Sequence, residues 1–156
     1  MDLDADELAG IVDLFGVLAR PALRDAVTEL AFREGEPPDE ETVDAAIDEA
    51  VDEFALLQFQ LEGEPTLVPG PTAFPVLPEG AEDLPHILDV ERREVDRSIL
   101  AEPVRTRLEA AAREVADPER AADLIDVTYD AETWTDVDLA DVRDRLAPVA
   151  DGAGPG

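Results

Sequence analysis

Lysine is absent from this sequence, and its absence bears directly on the solvent in which the protein works. All twelve basic residues are Arg and they face forty Asp and Glu, which gives a formal net charge of -28. Repulsion on this scale opposes a compact state in dilute buffer, whereas at 1 M salt the Debye length falls to roughly 3 Å and the charges are screened. The composition therefore predicts an acidic, halophilic protein adapted to molar intracellular salt.

Cysteine is absent as well, which excludes disulfides, thiolate nucleophiles and Cys-ligated metals. His86 is the only His and Ser98 the only Ser, so a Ser-His-Asp system would need both, and no Gly-x-Ser-x-Gly motif is present. His-Glu-x-x-His, P-loop and Gly-x-Gly-x-x-Gly motifs are missing too. We expect a protein that is not an enzyme and needs no metal or cofactor, in which His86 has a structural or contact role.

Long apolar runs and a targeting segment are likewise missing. The uninterrupted apolar runs are a few residues long, far below the roughly 20 that span a membrane, and the start MDLDADE lacks the basic and apolar regions of a signal peptide. Nevertheless 45% of the residues are apolar, and their regular spacing argues against disorder and for a packed core. We expect a cytoplasmic globular protein with no membrane association, built as one domain or two small halves.

Helical periodicity dominates the start of the chain. Asp4 and Glu7 resemble a capping pair, and Pro21 suits the first turn of a second helix. The segment Gly35–Glu40 breaks the pattern before a third helix. Apolar residues then alternate with polar ones, which predicts a β-hairpin that turns at Gly63–Pro65. The predicted elements are helices over about 5–19, 22–32 and 40–54, followed by the two hairpin strands within 57–68.

A proline-rich segment follows the hairpin. Six of the thirteen prolines fall between Pro65 and Pro85. Because proline fixes φ and lacks a backbone donor, we expect an ordered extended connector with a short helix over 76–98. We expect the large side chains at its start to pin it to the fold, namely Phe74, Val76 and Leu77.

The last third of the chain is predicted to be helical over 99–150. Pro103 begins one helix, and Asp117 with Pro118 caps the next. We place Tyr129 and Trp134 at a turn before a final short helix. The tail over 151–156 should fray. The chain thus divides into an N-terminal module over 1–75, the connector, the C-terminal helices and the tail, and we assign it to the α+β class, mainly helical.

Three helices followed by a short β-hairpin, over residues 1–75, resemble a winged-helix module. In that resemblance Leu8–Ala19 matches the first helix and Ala22–Phe32 the second. Glu40–Phe54 matches the recognition helix, and Leu57–Val68 matches the strands around a short wing. The resemblance implies a winged-helix-like N-terminal half on which the C-terminal helices pack.

The segment AFPVLPEGAEDLPHILDVERREVDR also looks like part of a family of small haloarchaeal proteins of unknown function. This likeness spans most of the chain. It implies no activity.

The predicted recognition helix departs from the winged-helix pattern in its charge. A helix that reads DNA presents Arg, Lys, Asn or Gln to phosphates and base edges. The helix over 40–54 carries seven carboxylates and no base. We therefore expect it not to bind nucleic acid.

Arginines concentrate just after the acidic stretch 34–91, which contains seventeen acids and no base. They are the only plausible polyanion site in the sequence, because the Arg fork suits phosphate. Helical spacing also pairs them with acids, as in Arg105 with Glu109, so we expect internal ion pairs for at least two of the first three. The five arginines are Arg92, Arg93, Arg97, Arg105 and Arg107.

Three hypotheses for function follow. The first is a non-enzymatic protein-interaction or adaptor module on a winged-helix-like scaffold, whose partner is another protein. The alternative is a DNA-binding transcriptional regulator that contacts DNA through the Arg92 to Arg107 segment. The third is an enzyme or Mg²⁺ site built from carboxylates, which would need a pocket that brings them together with His86. The candidate interaction residues are Arg92, Arg93, Arg97, His86 and Phe74.

Overall fold

The computed structural model describes residues 3–35 and 39–152. Within them the chain forms seven α-helices and a three-stranded antiparallel sheet, so the predicted α+β, mainly helical class is confirmed. Two compact units are present, Met1–Val95 and Asp96–Gly156, and the predicted connector therefore belongs almost wholly to the first. Part of the predicted break before the third helix, residues 36–38, and most of the predicted frayed tail, residues 153–156, lie outside the described residues.

The elements of the first unit include the three predicted helices and the hairpin. A strand that the sequence did not predict lies between the first two helices. The bounds are α1 (Ala5–Phe15), β1 (Leu18–Ala19), α2 (Arg20–Arg33), α3 (Glu40–Asp52), β2 (Leu56–Leu61), β3 (Glu64–Pro69) and the short α4 (Leu84–Ile87).

Helix α1 begins as its sequence predicts and ends earlier. The Asp4 carboxylate accepts a hydrogen bond from the Glu7 backbone N–H at 2.8 Å, and the Glu7 carboxylate accepts one from the Asp4 N–H at 3.3 Å. This is the predicted capping box. The predicted end near residue 19 is wrong, because Gly16 adopts φ +81° and the chain leaves the helix to form β1. Glycine reaches this conformation without the steric penalty of other residues.

Two prolines limit the sheet, whose strand order is β1-β3-β2. The hairpin turns at Glu62 and Gly63, with φ of 54° and 82°, one residue earlier than predicted. In such a two-residue turn Leu61 and Glu64 exchange backbone hydrogen bonds. The backbone N–H and C=O positions of residues 65, 67 and 69 of β3 therefore point towards β1. Pro65 and Pro69 lack an N–H to donate to β1, which fits the short pairing of Leu18 with Leu67 and Ala19 with Thr66.

The core of the first unit lies between the three helices and one face of the sheet. Phe15 of α1, Leu23 of α2 and Ile47 of α3 are fully buried there, together with Leu56 and Leu67 of the sheet. The connector contributes as well, because Ala81 and Leu84 belong to the same buried cluster. The connector is thus part of the folded unit.

The second unit is a set of helices with its own buried residues. A 3₁₀ turn (Arg97–Leu100) leads into α5 (Ala101–Glu114), and α6 (Pro118–Trp134) and α7 (Ala140–Ala150) follow. The predicted cap of α6 is confirmed, since the Asp117 carboxylate accepts from the Arg120 N–H at 3.3 Å. The position predicted for Tyr129 is wrong: it lies inside α6, and only Trp134 is at the helix end. No helix in the described ranges combines the length and apolarity that crossing a membrane requires.

Candidate interaction surface

Four consecutive exposed non-polar residues lie where the N-terminal module meets the connector. Phe74 exposes 77% of its surface, Val76 45% and Leu77 40%, and Pro75 between them is also exposed. We call Phe74–Leu77 the apolar strip. Folded proteins seldom leave such runs in water unless they bind something.

Backbone hydrogen bonds hold the chain just before the apolar strip. The Thr72 hydroxyl donates to the Glu53 carbonyl at 2.9 Å, and the Thr72 N–H donates to the Phe54 carbonyl at 3.2 Å. The Gly70 N–H donates to the Ala55 carbonyl at 2.8 Å. The connector is therefore anchored to the end of α3 and the start of β2 where the strip begins.

A second anchor lies within the strip itself. The Val76 N–H donates to the Asp6 carbonyl of α1 at 3.0 Å. One turn further along α1, Gly10 faces the Val76 carbonyl so closely that a Cβ there would stand 2.1 Å from its oxygen. Sequence reasoning missed Gly10, although an isolated glycine inside a helical pattern signals a packing reason of this kind.

The prediction that Phe74, Val76 and Leu77 pin the connector through their side chains is wrong, and of the three only the backbone of Val76 serves as an anchor. The connector's anchors are backbone groups and a different set of side chains, including the buried Ala81 and Leu84 and the partly buried Ala73, Leu88 and Val90. The physical reason is that the backbone of Val76 packs closely against α1. The gap there holds backbone alone, so the large side chains of the strip are directed to solvent.

His86 lies on the exposed side of the short helix α4, between the partly buried Pro85 and the exposed Ile87. Its backbone carbonyl accepts a hydrogen bond from the Asp89 N–H at 3.3 Å. Within the described residues no group of three or more His, Cys, Asp or Glu is placed to hold a metal ion.

Arg92 caps the C-terminal end of α1. Its guanidinium donates to the Asp13 carbonyl at 2.6 Å and to the Leu14 carbonyl at 3.2 Å, and it also contacts the Glu94 carboxylate at 2.9 Å. The last turn of α1 contains no basic residue, so Arg92 supplies the positive charge that orphan helix carbonyls favour.

Replacing Arg92 by Ala should lower the free energy of unfolding by about 1 kcal/mol or less, since the side chain is half exposed and the lost cap is partly replaced by water. Chemical denaturation at high KCl measures this. Arg145→Ala, which removes an equal charge from an exposed site, is the matched control. Equal losses in both variants would contradict the capping role.

Arg93 joins the connector through its backbone to the end of α1 and the residues that lead into β1. Its N–H donates to the Phe15 carbonyl at 2.9 Å, and its carbonyl accepts from the Val17 N–H at 3.0 Å, which forms a parallel bridge opposite Gly16. Its guanidinium lies 3.2 Å from the Glu62 carboxylate at the hairpin turn. No helix forms at 91–95, so the acids at helical spacing are not the partners of Arg92 and Arg93.

Arg97 and Arg105 make contacts inside the second unit. Arg97 donates to the Trp134 carbonyl at 3.0 Å and lies 5.0 Å from the centre of the Trp134 ring. Arg105 pairs with Glu109 at 3.2 Å, as predicted, and with Asp141. The Arg105 hydrogen bond lowers the pKa of the Asp141 carboxyl. Internal pairing of at least two of the first three arginines is thus confirmed, through Arg92 and Arg93.

Helix α3 is tied to α2 and β2 by two arginines that the sequence analysis did not single out. Arg20 donates to the Asp48 carboxylate at 2.7 Å and to the Gln58 amide oxygen at 2.8 Å. Arg24 donates to the Asp44 carboxylate at 2.7 Å, and this hydrogen bond lowers the pKa of Asp44. At least two of the six α3 carboxylates, Asp44 and Asp48, are therefore already paired inside the protein.

Glu132 and Arg143 form a shielded ion pair in the second unit, 2.8 Å apart with side chains 22% and 19% exposed. Glu132 also accepts from the Leu139 N–H at 2.8 Å before α7. The hydrogen bond from Arg143 lowers the pKa of the Glu132 carboxyl, and that from the Leu139 N–H acts in the same direction. When folding lowers the pKa of a carboxyl group, its carboxylate form stabilises the folded protein at pH values above the pKa of the unfolded chain. That stabilisation is lost as the pH falls through the pKa of the folded state.

Glu132→Gln should therefore destabilise the protein at neutral pH by about 1–3 kcal/mol. The difference in the free energy of unfolding between the variant and the native protein should disappear as the pH falls below the range in which carboxyl groups ordinarily titrate. Denaturation series at several pH values, all at high KCl to suppress general repulsion, measure it. A difference that is constant with pH would show that the ion pair is not the cause.

A cleft of about 260 Å³ opens between β1, the hairpin and the end of the connector. Its lining includes Glu62, Glu64 and Glu91 beside Arg93 and apolar residues. His86 is not among its lining residues in the described chain, so this cleft does not bring carboxylates and His86 together as the enzyme hypothesis requires.

A family of unknown function (DUF7109) matches residues 6–151. No curated protein and no solved structure matches the chain. The expected relation to a family of unknown function is thus confirmed, and the match brings no activity or partner with it.

Proposed function

The chain belongs to DUF7109, a family of unknown function, and from its geometry we propose that it is a non-enzymatic protein-interaction or adaptor module. The proposal places it in the cytoplasm of a cell with high internal salt. The observation that carries it is the apolar strip, which the fold holds at defined positions while its side chains face water.

The strip combines exposure with rigidity, and the combination favours binding. Exposed apolar residues scattered singly are ordinary, as Phe32 at 69% exposure illustrates. The apolar strip differs from that pattern, because it has four such residues in a row on a backbone anchored at Thr72, Val76 and Pro78. Pro78 is buried, and Thr72 and Val76 donate hydrogen bonds to the folded unit. Such a segment loses little conformational entropy on binding, which supports a docking role.

We propose a winged-helix-like scaffold for the first unit. Its support is the element order α1-β1-α2-α3-β2-β3, together with the pairing of β1 with β3. In that arrangement α3 occupies the position of a recognition helix. Its exposed side carries carboxylates, and the paired Asp44 and Asp48 connect it to its own neighbours.

The alternative of a DNA-binding regulator has less support from the contacts. Arg92 caps α1, Arg93 pairs with Glu62, and Arg97 lies on Trp134. A guanidinium so engaged would have to give up a partner before binding phosphate. We therefore retain the protein-interaction module as the proposed function.

The absence of DNA binding by α3 is testable through two of its exposed acids. Glu41→Gln with Glu49→Gln should leave any affinity for double-stranded DNA unchanged or raise it, because carboxylates only repel phosphate. Fluorescence anisotropy over a range of KCl concentrations measures this. Asp48→Asn is unsuited, since Asp48 binds Arg20. Loss of specific DNA binding in the double variant would contradict the proposal.

The docking role is tested by comparing two exposed phenylalanines. Phe74→Ala should abolish capture of a specific partner from the native cell extract at high KCl, whereas Phe32→Ala, a matched loss of exposed surface on α2, should retain it. The captured protein is then purified, and its dissociation constant is measured by calorimetry for each variant. Equal affinity of both variants for that protein would show that the strip is not the docking surface.

A further inference from the structure

The proline spacing of the apolar strip restricts what can receive it. Phe74 and Leu77 each precede a proline, and such residues are confined to extended backbone conformations. Pro75 and Pro78 themselves hold φ near -65°. Four of the five residues from Phe74 to Pro78 are therefore biased towards the polyproline II conformation by local sterics alone.

The two largest side chains of the strip are three residues apart. A polyproline II helix has three residues per turn and a rise of 3.1 Å, so residues three apart lie on one edge, about 9 Å from each other. Phe74 and Leu77 are both exposed, at 77% and 40%, and the interposed Val76 is anchored through its N–H to α1. A receptor for this edge needs two apolar pockets at that spacing.

The charges beside the strip further restrict which partner can bind it. Exposed Glu79, Glu82 and Asp83 follow the strip. Residues 34–91 contain no base, and Arg33, which reaches this segment by donating to the Gly80 carbonyl at 2.8 Å, also pairs with Glu29 at 3.5 Å, so negative charge is in excess beside the strip. A second copy of this chain that paired strip to strip would place like charges opposite one another, which costs free energy at an interface. A partner with Arg or Lys beside its apolar pockets would instead meet opposite charge.

We propose that the strip is a polyproline-type ligand displayed on a folded scaffold, received by a partner groove with two aromatic-lined pockets about 9 Å apart and a basic rim facing Glu79. This inference rests on the proposed function and adds the chemistry of the partner. Grooves of this kind bind extended proline segments because the ligand is ordered before binding.

Photo-crosslinking identifies the surface that contacts the strip. The full chain carrying p-benzoylphenylalanine in place of Phe74 is irradiated in native cell extract at high KCl, and the crosslinked peptide is sequenced by mass spectrometry. The same group in place of Phe32 is the matched control. The expected crosslink joins position 74 alone to a partner segment that contains aromatic and basic residues.

Affinities of the purified partner then test the two pockets and the rim. Phe74→Ala should weaken binding about thirtyfold or more and Leu77→Ala about tenfold, as expected of buried anchors. Pro75→Ala should weaken it a few-fold because the free segment becomes more mobile. Glu79→Arg should weaken it as well, whereas Phe32→Ala should leave it unchanged.

The outcomes separate the two proposals. Equal crosslinking from positions 74 and 32 would overturn the proposed function together with this inference. A specific partner whose crosslinked surface is acidic, or whose affinity is unaffected by Pro75→Ala and raised by Glu79→Arg, would overturn only the inference. A crosslink to a second copy of the chain, with a dimer in light scattering, would also overturn it.

Discussion

The midpoint of thermal unfolding should climb steadily as KCl is raised from dilute buffer to about 2 M. The net charge is -28, and residues 34–91 hold seventeen acids with no base among them. Screening removes the repulsion that opposes the compact state. If screening removes several kcal/mol of this repulsion, the midpoint of unfolding should rise by on the order of 10–20 °C for a chain of this size.

The C-terminal end of α3 provides a control for this effect. Glu49 and Glu53 lie there without a basic residue in the last turn, so the helix dipole and neighbouring acids both disfavour their charge. Glu49→Gln with Glu53→Gln should stabilise the protein at low salt and make little difference at high salt. Asp48→Asn should instead destabilise it, because Asp48 binds Arg20. A native midpoint that stays flat with KCl would contradict the halophilic proposal.

Gly10→Ala should destabilise the protein by about 1–3 kcal/mol, although alanine is the better helix former. Helix propensity alone predicts a gain of about 0.5–1 kcal/mol for this change. The new Cβ would stand 2.1 Å from the Val76 carbonyl oxygen, and backbone on both sides leaves little room to adjust. Either α1 and the connector move apart, or the connector leaves its site.

The sign of the change makes the Gly10 experiment decisive. Ala45→Gly, at an exposed position in α3, calibrates the propensity effect in the same protein and should cost about 0.5–1 kcal/mol. Denaturation midpoints give the stabilities, and faster hydrogen exchange of the Val76 amide would report loss of its bond to Asp6. A stabilised Gly10→Ala variant would show that the connector does not depend on close contact with α1.

Much of the fold could be predicted because its elements are specified locally. The capping box of Asp4 and Glu7 and the cap at Asp117 depend on residues three apart, and alternation revealed the hairpin. Strand β1 was missed because two residues carry no periodicity and their pairing partner is Leu67, far along the chain. Helical spacing continued through Gly16, and only the observed φ shows where α1 ends.

The candidate site was predicted less well, since it depends on which side of the connector faces the core. The sequence analysis gave Phe74 two roles, and its role as a pin of the connector is wrong, because a large apolar side chain is taken for an anchor unless the opposite side of the backbone is known to be packed. Its role as a candidate interaction residue stays a prediction. The contact between Gly10 and the Val76 carbonyl shows which side of the backbone is packed, and it joins residues 66 positions apart. Similarly, the contacts of Arg93 with Glu62 and of Arg92 with the Asp13 carbonyl join residues distant in sequence, whereas the ion pair of Arg92 is with its near neighbour Glu94.

The amino-acid sequence by itself determined the charge, the starts of α1, α3 and α6, the hairpin and the restricted φ angles of the proline segment, because each depends on composition or on neighbours within one turn. The tertiary structure decided where α1 ends, how short β1 is, which partners the arginines take and which connector side chains face water. Those outcomes depend on contacts between residues distant in sequence, and a pattern of neighbours contains no information on them. The apolar strip belongs to this second group, since it is exposed only because the connector's backbone and smaller side chains fill the space against α1 and the core.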